Sequence, residues 1–262
     1  MFLRCLVYTL VVIVLARPQT YNSWDNKDAE GIDIMLTMDI SASMLTEDVF
    51  PNRIEVAKEV ASDFISGRPN DNIGLTIFAG EAFTQCPMTV DHAALLNLLH
   101  NVRTDLVVKG LIQDGTAIGM GLANSVSRLK DSKAKSKVII LLTDGSNNVG
   151  SISPMTAASI AKKYGIRIYT IGLGKESEGD LGAIDYKTLQ NIAVSTNGEF
   201  YRAQSQAELS KIYQDIDKLE KTKLRVKAYS HLHEAYMPFA WLALFLFCLD
   251  LLLRLTVFRR LP

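Results

Sequence analysis

The chain has 262 residues with 28 basic and 28 acidic side chains, a formal net charge of zero that leaves no basic footprint for nucleic acid. That length holds one sizeable α/β domain plus attachments. Of the three cysteines, Cys5 and Cys248 lie in the apolar ends and Cys86 stands alone, which excludes a disulfide framework inside the domain.

In chain order, Arg4 precedes an apolar run from Cys5 to Ala16, followed by Arg17-Pro18. The run is short for a membrane span and right for the apolar stretch of a signal peptide, with Val14-x-Ala16 as a passable cleavage site. Arg17-Pro18 directly after that site disfavours cleavage, so residues 1–17 read rather as a short membrane helix or signal anchor. Either reading places the middle of the chain outside the cytoplasm. Residues 18–30 are polar and read as a linker.

From 31 to 222, short apolar runs alternate with helical patterns. The strands expected are Ile32–Met38, Ile73–Ala79, Val138–Leu142, Ile166–Ile171 and Phe200–Tyr201. Helices are expected over 53–66, 92–101, 117–129, 155–164, 186–195 and 206–220. Near-continuous Val, Ile and Leu strands between amphipathic helices mean a parallel sheet covered on both faces. Ala82–Met88 adds an antiparallel edge strand. The fold class is therefore α/β, a doubly wound and mostly parallel sheet.

Residues 223–236 read as a stalk, with Leu224, Val226 and Ala228 alternating against Lys223, Arg225 and Lys227 as in a strand. Residues 237–258 are apolar on every face and long enough to span a bilayer. Tyr236 and Trp241 mark one interface, and Arg259 and Arg260 open the basic tail 259–262 at the other. Asp250 and Arg254, at i,i+4, share a face of this helix; they either pair toward a partner helix or snorkel together to the interface.

The chemistry gathers where strands end. Asp39-Ile40-Ser41-Ala42-Ser43 follows the first domain strand, and alternate oxygen donors of this kind suit a hard cation such as Mg²⁺. Alone the pentapeptide is weak, because Ser and Asp also fill turns and helix caps. Asp144 directly follows the strand Val138–Leu142, and Thr116, in Asp114-Gly115-Thr116, opens a helix. Ser43 or Thr116 could each be a mere cap and Asp144-Gly145 a mere turn. Sites of doubly wound sheets form at the carboxyl ends of the strands, so all three on one edge point to one shared site. Asp39 and Asp144 would face each other across adjacent strand ends and repel unless a cation sat between them.

Asp39-x-Ser41-x-Ser43, Thr116 and Asp144, in that order, resemble the metal-ion-dependent adhesion site (MIDAS) of von Willebrand factor type A domains, over residues 31 to about 220. The resemblance implies a Rossmann-like A domain in which Ser41, Ser43 and Thr116 ligate Mg²⁺ or Mn²⁺ directly. Asp39 and Asp144 would then act largely through water. It also implies an open coordination position, filled by a Glu or Asp carboxylate of a protein partner. The stretches Asp114–Gly119, Lys137–Gly145 and Tyr169-Thr170-Ile171-Gly172 are similar to the aerotolerance (Bat) membrane proteins of bacteria. That similarity implies a periplasmic A domain flanked by helices of the inner membrane, other membrane proteins of the same complex, and company with a MoxR-type ATPase. Bat proteins usually carry a further helix ahead of the one at 2–16, which leaves truncation or different anchoring open.

An enzyme is the competing class, a Mg²⁺-dependent hydrolase or phosphotransferase on the same acidic edge. Aspartyl phosphotransferases want a second acid two residues on, and here that position is Ser41. A dinucleotide-binding turn would need glycines where Asp39 stands. Ser41 with His92 or His100 lacks the flanking glycines of a nucleophile elbow. The expectation is a binding module and no catalytic residue. Weaker candidates are a metal pair His231/His233, a partner-facing rim at Asn147, Asn148 and Ser151, and an apolar rim at Met44, Leu45 and Phe50.

Overall fold

The computed structural model describes residues 2–16, 19–20, 31–104, 107, 109–110, 113–175, 184–229, 233–234 and 237–256. Side chains are excepted at 2–5, 7, 19–20, 222–229, 233–234, 237–239, 250–251 and 253–256. The chain divides into two compact units, one of residues 1–28 with 225–262 and one of Ala29–Leu224.

In the smaller unit, helix α1 (Phe2–Leu15) leads to the short strand β1 (Gln19–Thr20). The unit ends with strand β8 (His233–Glu234) and helix α8 (Met237–Thr256). β1 and β8 pair antiparallel, Gln19 opposite Glu234, and α1 packs against α8. Part of the expected linker and the position of His233 are thus a two-strand ribbon. Among the described side chains Leu10 and Ala243 are buried, while Tyr8, Val12, Trp241 and Phe245 are exposed. α8 is a helix of 20 residues. Counted over the described residues, no helix is both long and apolar enough to cross a membrane. The side chains of Asp250, Leu251 and 253–256 lie outside that count. The side chains of Asp250 and Arg254 are among those excepted, so their pairing is outside what is described, as are His231, residues 21–30 and the basic tail.

The larger unit is a six-stranded sheet in the order β4-β3-β2-β5-β6-β7. Its strands are β2 (Asp33–Asp39), β3 (Asn72–Phe78), β4 (Ala82–Thr89), β5 (Lys137–Thr143), β6 (Ile166–Leu173) and β7 (Phe200–Ala203). All neighbours run parallel except β4, antiparallel to β3 at the edge. β2 and β5 are buried along nearly their whole length, as strands covered on both faces must be.

Side-chain alternation divides the core. Ile34, Leu36 and Met38 face α2 (Arg53–Ser66), α3 (His92–His100) and α7 (Gln206–Tyr229). Met35, Ile139 and Leu141 face α4 (Ile118–Leu129), α5 (Pro154–Lys163) and α6 (Tyr186–Ser195). Several helix starts are local in origin. Asn52, Asp91, Ser153 and Asp185 each accept a backbone N–H three residues on, and Pro154 opens α5 where no N–H is needed.

One expected element is overturned. Residues 223–229 are not a strand but the last turns of α7, which runs over 24 residues. No Gly or Pro interrupts Gln206–Tyr229, and the region is rich in Lys, Leu, Glu and Ala, all strong helix formers. Three alternating pairs do not outweigh that propensity once the helix is under way, because each added residue contributes a further hydrogen bond without a new nucleus.

Candidate functional site

Four loops meet at the carboxyl edge of the sheet. The first follows β2, whose terminal Asp39 is fully buried. Asp39 accepts from the Ser41 backbone N–H at 2.9 Å and from the Thr143 hydroxyl at 2.6 Å. This turns the chain into a short 3₁₀ helix at Ala42–Leu45. Ser41 precedes that helix, yet its hydroxyl makes no capping bond; it lies 3.0 Å from the Ser43 hydroxyl. The Ser43 hydroxyl in turn donates to Asp144 Oδ1 at 2.7 Å.

Thr116 is placed by ties on two sides. The backbone N–H of Gly80 donates to Gln113, and that of Ala117 to Ala79, so the 113–117 loop hangs from the end of β3. On the other side the Thr116 N–H donates to Asn148 Oδ1 at 2.7 Å, and the Asn148 N–H donates back to the Thr116 carbonyl. Gly115 has φ +125° and packs so closely on Val149 that a Cβ would stand 2.7 Å from it. Ala117, not Thr116, holds the cap position of α4, and no side chain caps that helix. Thr116 is buried, with its hydroxyl beside Gly145, where a Cβ would stand 3.2 Å from Thr116 Oγ1. The structure therefore brings together all five expected residues, and neither Ser41 nor Thr116 is spent on capping.

Arg53 is the residue that sequence reasoning missed. It opens α2 and is 8% exposed. Its guanidinium donates from Nη1 to Asp144 Oδ2 at 2.8 Å, and from Nε and Nη2 to the two oxygens of Asp48, also at 2.8 Å. A signal was available: a cation at the first position of a helix opposes the helix dipole, so it needs acids beside it.

The electrostatics are unbalanced. Burial pushes the Asp39 carboxyl up to about 7, with the charge of Asp144 adding to it and the bonds from Thr143 and Ser41 opposing. Burial also raises Asp144, against the bonds from Arg53 and Ser43. For Arg53 burial acts to lower the pKa, but the bonds to Asp48 and Asp144 outweigh it and raise the value. Asp39 and Asp144 thus lie in a setting that resists two negative charges, and the side chains gathered there that could ligate an ion all offer oxygen. No cluster of three or more His, Cys, Asp or Glu is placed to hold a metal among the described residues. The set here is two carboxylates and three hydroxyls, which fits a hard divalent cation and not a soft one.

The other candidates separate. His92 Nε2 pairs with the Asp71 carbonyl at 2.9 Å and His100 Nδ1 with that of Leu96 at 2.7 Å, so neither is the hydrogen-bond partner of Ser41. Asn147 and Asn148 brace backbone N–H groups of Gly119 and Thr116. Ser151 contacts Met120. Met44 is buried, whereas Leu45 and Phe50 are exposed.

Oxygen donors on the carboxyl edge of a sheet with this order define an A domain. The chain belongs to the von Willebrand factor type A domain family, which it matches over residues 33–215. An uncharacterized protein of Borreliella burgdorferi is 31% identical over 256 residues, or 92% of this chain and 73% of that protein. A UPF0353 protein of Nocardia farcinica is 28% identical, and the match spans 62% of its length. BatB of Bacteroides thetaiotaomicron superposes with a TM-score of 0.62 at 30% identity, over 73% of this chain and 100% of that one. An aerotolerance-related membrane protein of Bacteroides fragilis gives 0.61 at 30%, over 72% and 100%. Proximal thread matrix protein 1 of the mussel byssus, with a zinc-occupied MIDAS motif, gives 0.60 at 29%, over 72% of this chain and 46% of that one. A domains are in general binding modules that engage other proteins, and the Bacteroides fragilis relative is described as a membrane protein.

Proposed function

We propose that the chain is a membrane-anchored protein-binding module whose grip depends on a divalent cation, Mg²⁺ or Mn²⁺. Ser41, Ser43 and Thr116 would be direct oxygen ligands, with Asp39 and Asp144 behind them. One position would be left for a Glu or Asp carboxylate of a partner protein. The observation that carries this reading is the buried pair Asp39 and Asp144, ringed by those hydroxyls and holding more negative charge than Arg53 neutralises.

When bound, the ion supplies a localised positive charge able to take a carboxylate oxygen. The chain's own part is preparation. The Ser43 hydroxyl donates its hydrogen bond to Asp144, which leaves the oxygen's lone pairs for a cation. Asp39 holds the turn that presents Ser41, and Asn148 fixes the Thr116 loop.

On this reading residues 1–17 and 237–258 anchor the A domain (31–222), through the linker 18–30 and the stalk 223–236, to a bacterial inner membrane. The A domain lies on the periplasmic side. Exposed Tyr8, Val12, Trp241 and Phe245 would then meet lipid. The setting is an envelope complex related to aerotolerance or stress, beside a MoxR-type ATPase. Affinity purification from detergent extracts with Mg²⁺, with chelator and with Thr116→Ala tests the binding mode. A protein partner captured only in the first condition supports it, and equal capture in all three sinks it. Proteolysis of intact spheroplasts should remove the A domain; its survival there would refute the orientation.

A further inference from the structure

Arg53 joins three of the loops that build the site. Asp48 comes from the loop after β2 and Asp144 from the end of β5. Gly174, after β6, lies against the guanidinium so closely that a Cβ would stand 2.7 Å from Arg53 Cζ. The next residue, Lys175, donates its backbone N–H to Asp48 Oδ2 at 2.7 Å. Both oxygens of Asp144 are thereby engaged, Oδ2 by Arg53 and Oδ1 by Ser43. Asp39 differs, since the donors it receives, Ser41 N–H and Thr143 Oγ1, are neutral.

Resting on the metal reading above, we propose that Arg53 is a positioning residue that withholds Asp144 from direct coordination. An ion in the site is then held by hydroxyls with little compensating charge and takes a carboxylate from outside. Asp48 sets the strength of this device. It draws two of the guanidinium's bonds to itself and leaves one for Asp144. Fork-like binding of this kind needs arginine geometry, with its planar and fixed donors.

The test is Mn²⁺ titration of the full-length protein, followed by electron paramagnetic resonance, in wild type, Arg53→Gln and Asp48→Asn. Arg53→Gln removes a positive charge beside the ion and frees Asp144 Oδ2, so Mn²⁺ binds at least about tenfold tighter. Electron–nuclear double resonance then counts one fewer metal-bound water. Asp48→Asn leaves Arg53 with Asp144 as its one ionised partner and makes the site more positive, so Mn²⁺ binds several-fold more weakly. A merely structural Arg53 would make both variants weaker and leave the water count unchanged. Arg53→Gln binding Mn²⁺ no tighter than wild type overturns the proposal. If that variant does not fold, unchanged or tighter binding in Asp48→Asn overturns it alone. Wild type binding no Mn²⁺ would instead bring down the metal reading, and this proposal with it.

Discussion

At the carboxyl edge of the sheet Asp48 and Asp144 share the one guanidinium of Arg53 while Asp39 accepts from neutral donors, whereas at the amino edge Glu220 of α7 meets its own complement. Glu220 is 1% exposed, and accepts from Arg167 Nε at 2.9 Å, the Ser136 hydroxyl at 2.7 Å and the Tyr169 hydroxyl. Burial would raise its pKa, but the bonds from Arg167, Tyr169 and Ser136 outweigh it and hold the carboxyl below the usual range. Asp39 and Asp144 are shifted the other way, because burial wins. One cluster is matched in charge and fastens a helix to the sheet. The other gathers buried carboxylates with less positive charge beside them, the setting that the proposed ion would balance.

The largest effect should come from breaking the matched end. Glu220→Ala leaves Arg167 without its buried carboxylate, and should cost about 3–5 kcal/mol in a urea titration, with or without Mg²⁺. A loss that Mg²⁺ rescues would mean that the two edges are not separate.

Next, millimolar Mg²⁺ against chelator should stabilise wild type by about 2–3 kcal/mol if the ion is present near 100 times its Kd. The same addition should do nothing for Asp39→Asn. Equal melting temperatures for wild type in Mg²⁺ and chelator would remove the distinction between the clusters.

The two ends should also answer pH with opposite sign. Asp39 has a folded pKa near 7, above its unfolded value, so its ionisation destabilises the metal-free fold at alkaline pH. In chelator, stability should therefore rise as pH falls from 8 to 6, by about 1–2 kcal/mol, and this rise should vanish in Asp39→Asn. Glu220 has a folded pKa below its unfolded value. Its contribution is full above the unfolded pKa and is lost as pH falls through the folded one, so Glu220→Gln should flatten the acid limb. The smallest effect is at the rim. Asn148→Ala removes the side-chain acceptor of Thr116 N–H, and should cost about 1 kcal/mol while weakening Mg²⁺ binding several-fold, by isothermal titration.

Asp39, Ser41, Ser43, Thr116 and Asp144 were legible because each lies beside a strand or helix end, and the strands announce themselves as apolar runs. Strand ends on one edge of a parallel sheet must converge, whatever the intervening loops do. Arg53 was legible only as a cation at a helix start that needs acids nearby; which acids, and that it enters the site, was not. Otherwise it reads as one more basic residue of an amphipathic helix, and only packing against Gly174 and Asp48 turns it inward. Glu220 lies in a stretch of Asp, Lys and Glu that looks solvated, and its burial depends on residues 136, 167 and 169, far away in sequence. The ribbon of β1 and β8 joins segments too short and polar to show any period.

Periodicity and local chemistry in the sequence alone thus determined the doubly wound sheet, its antiparallel edge and the five-residue constellation, since apolar spacing and strand-end donors are properties of neighbours along the chain. Tertiary structure decided which buried charges are matched. It gives Glu220 a full set of donors and leaves Asp39 with neutral ones, while dividing Arg53 between two acids. Charge balance in a low-dielectric interior depends on distances between residues remote in sequence, and no spacing along the chain encodes those distances.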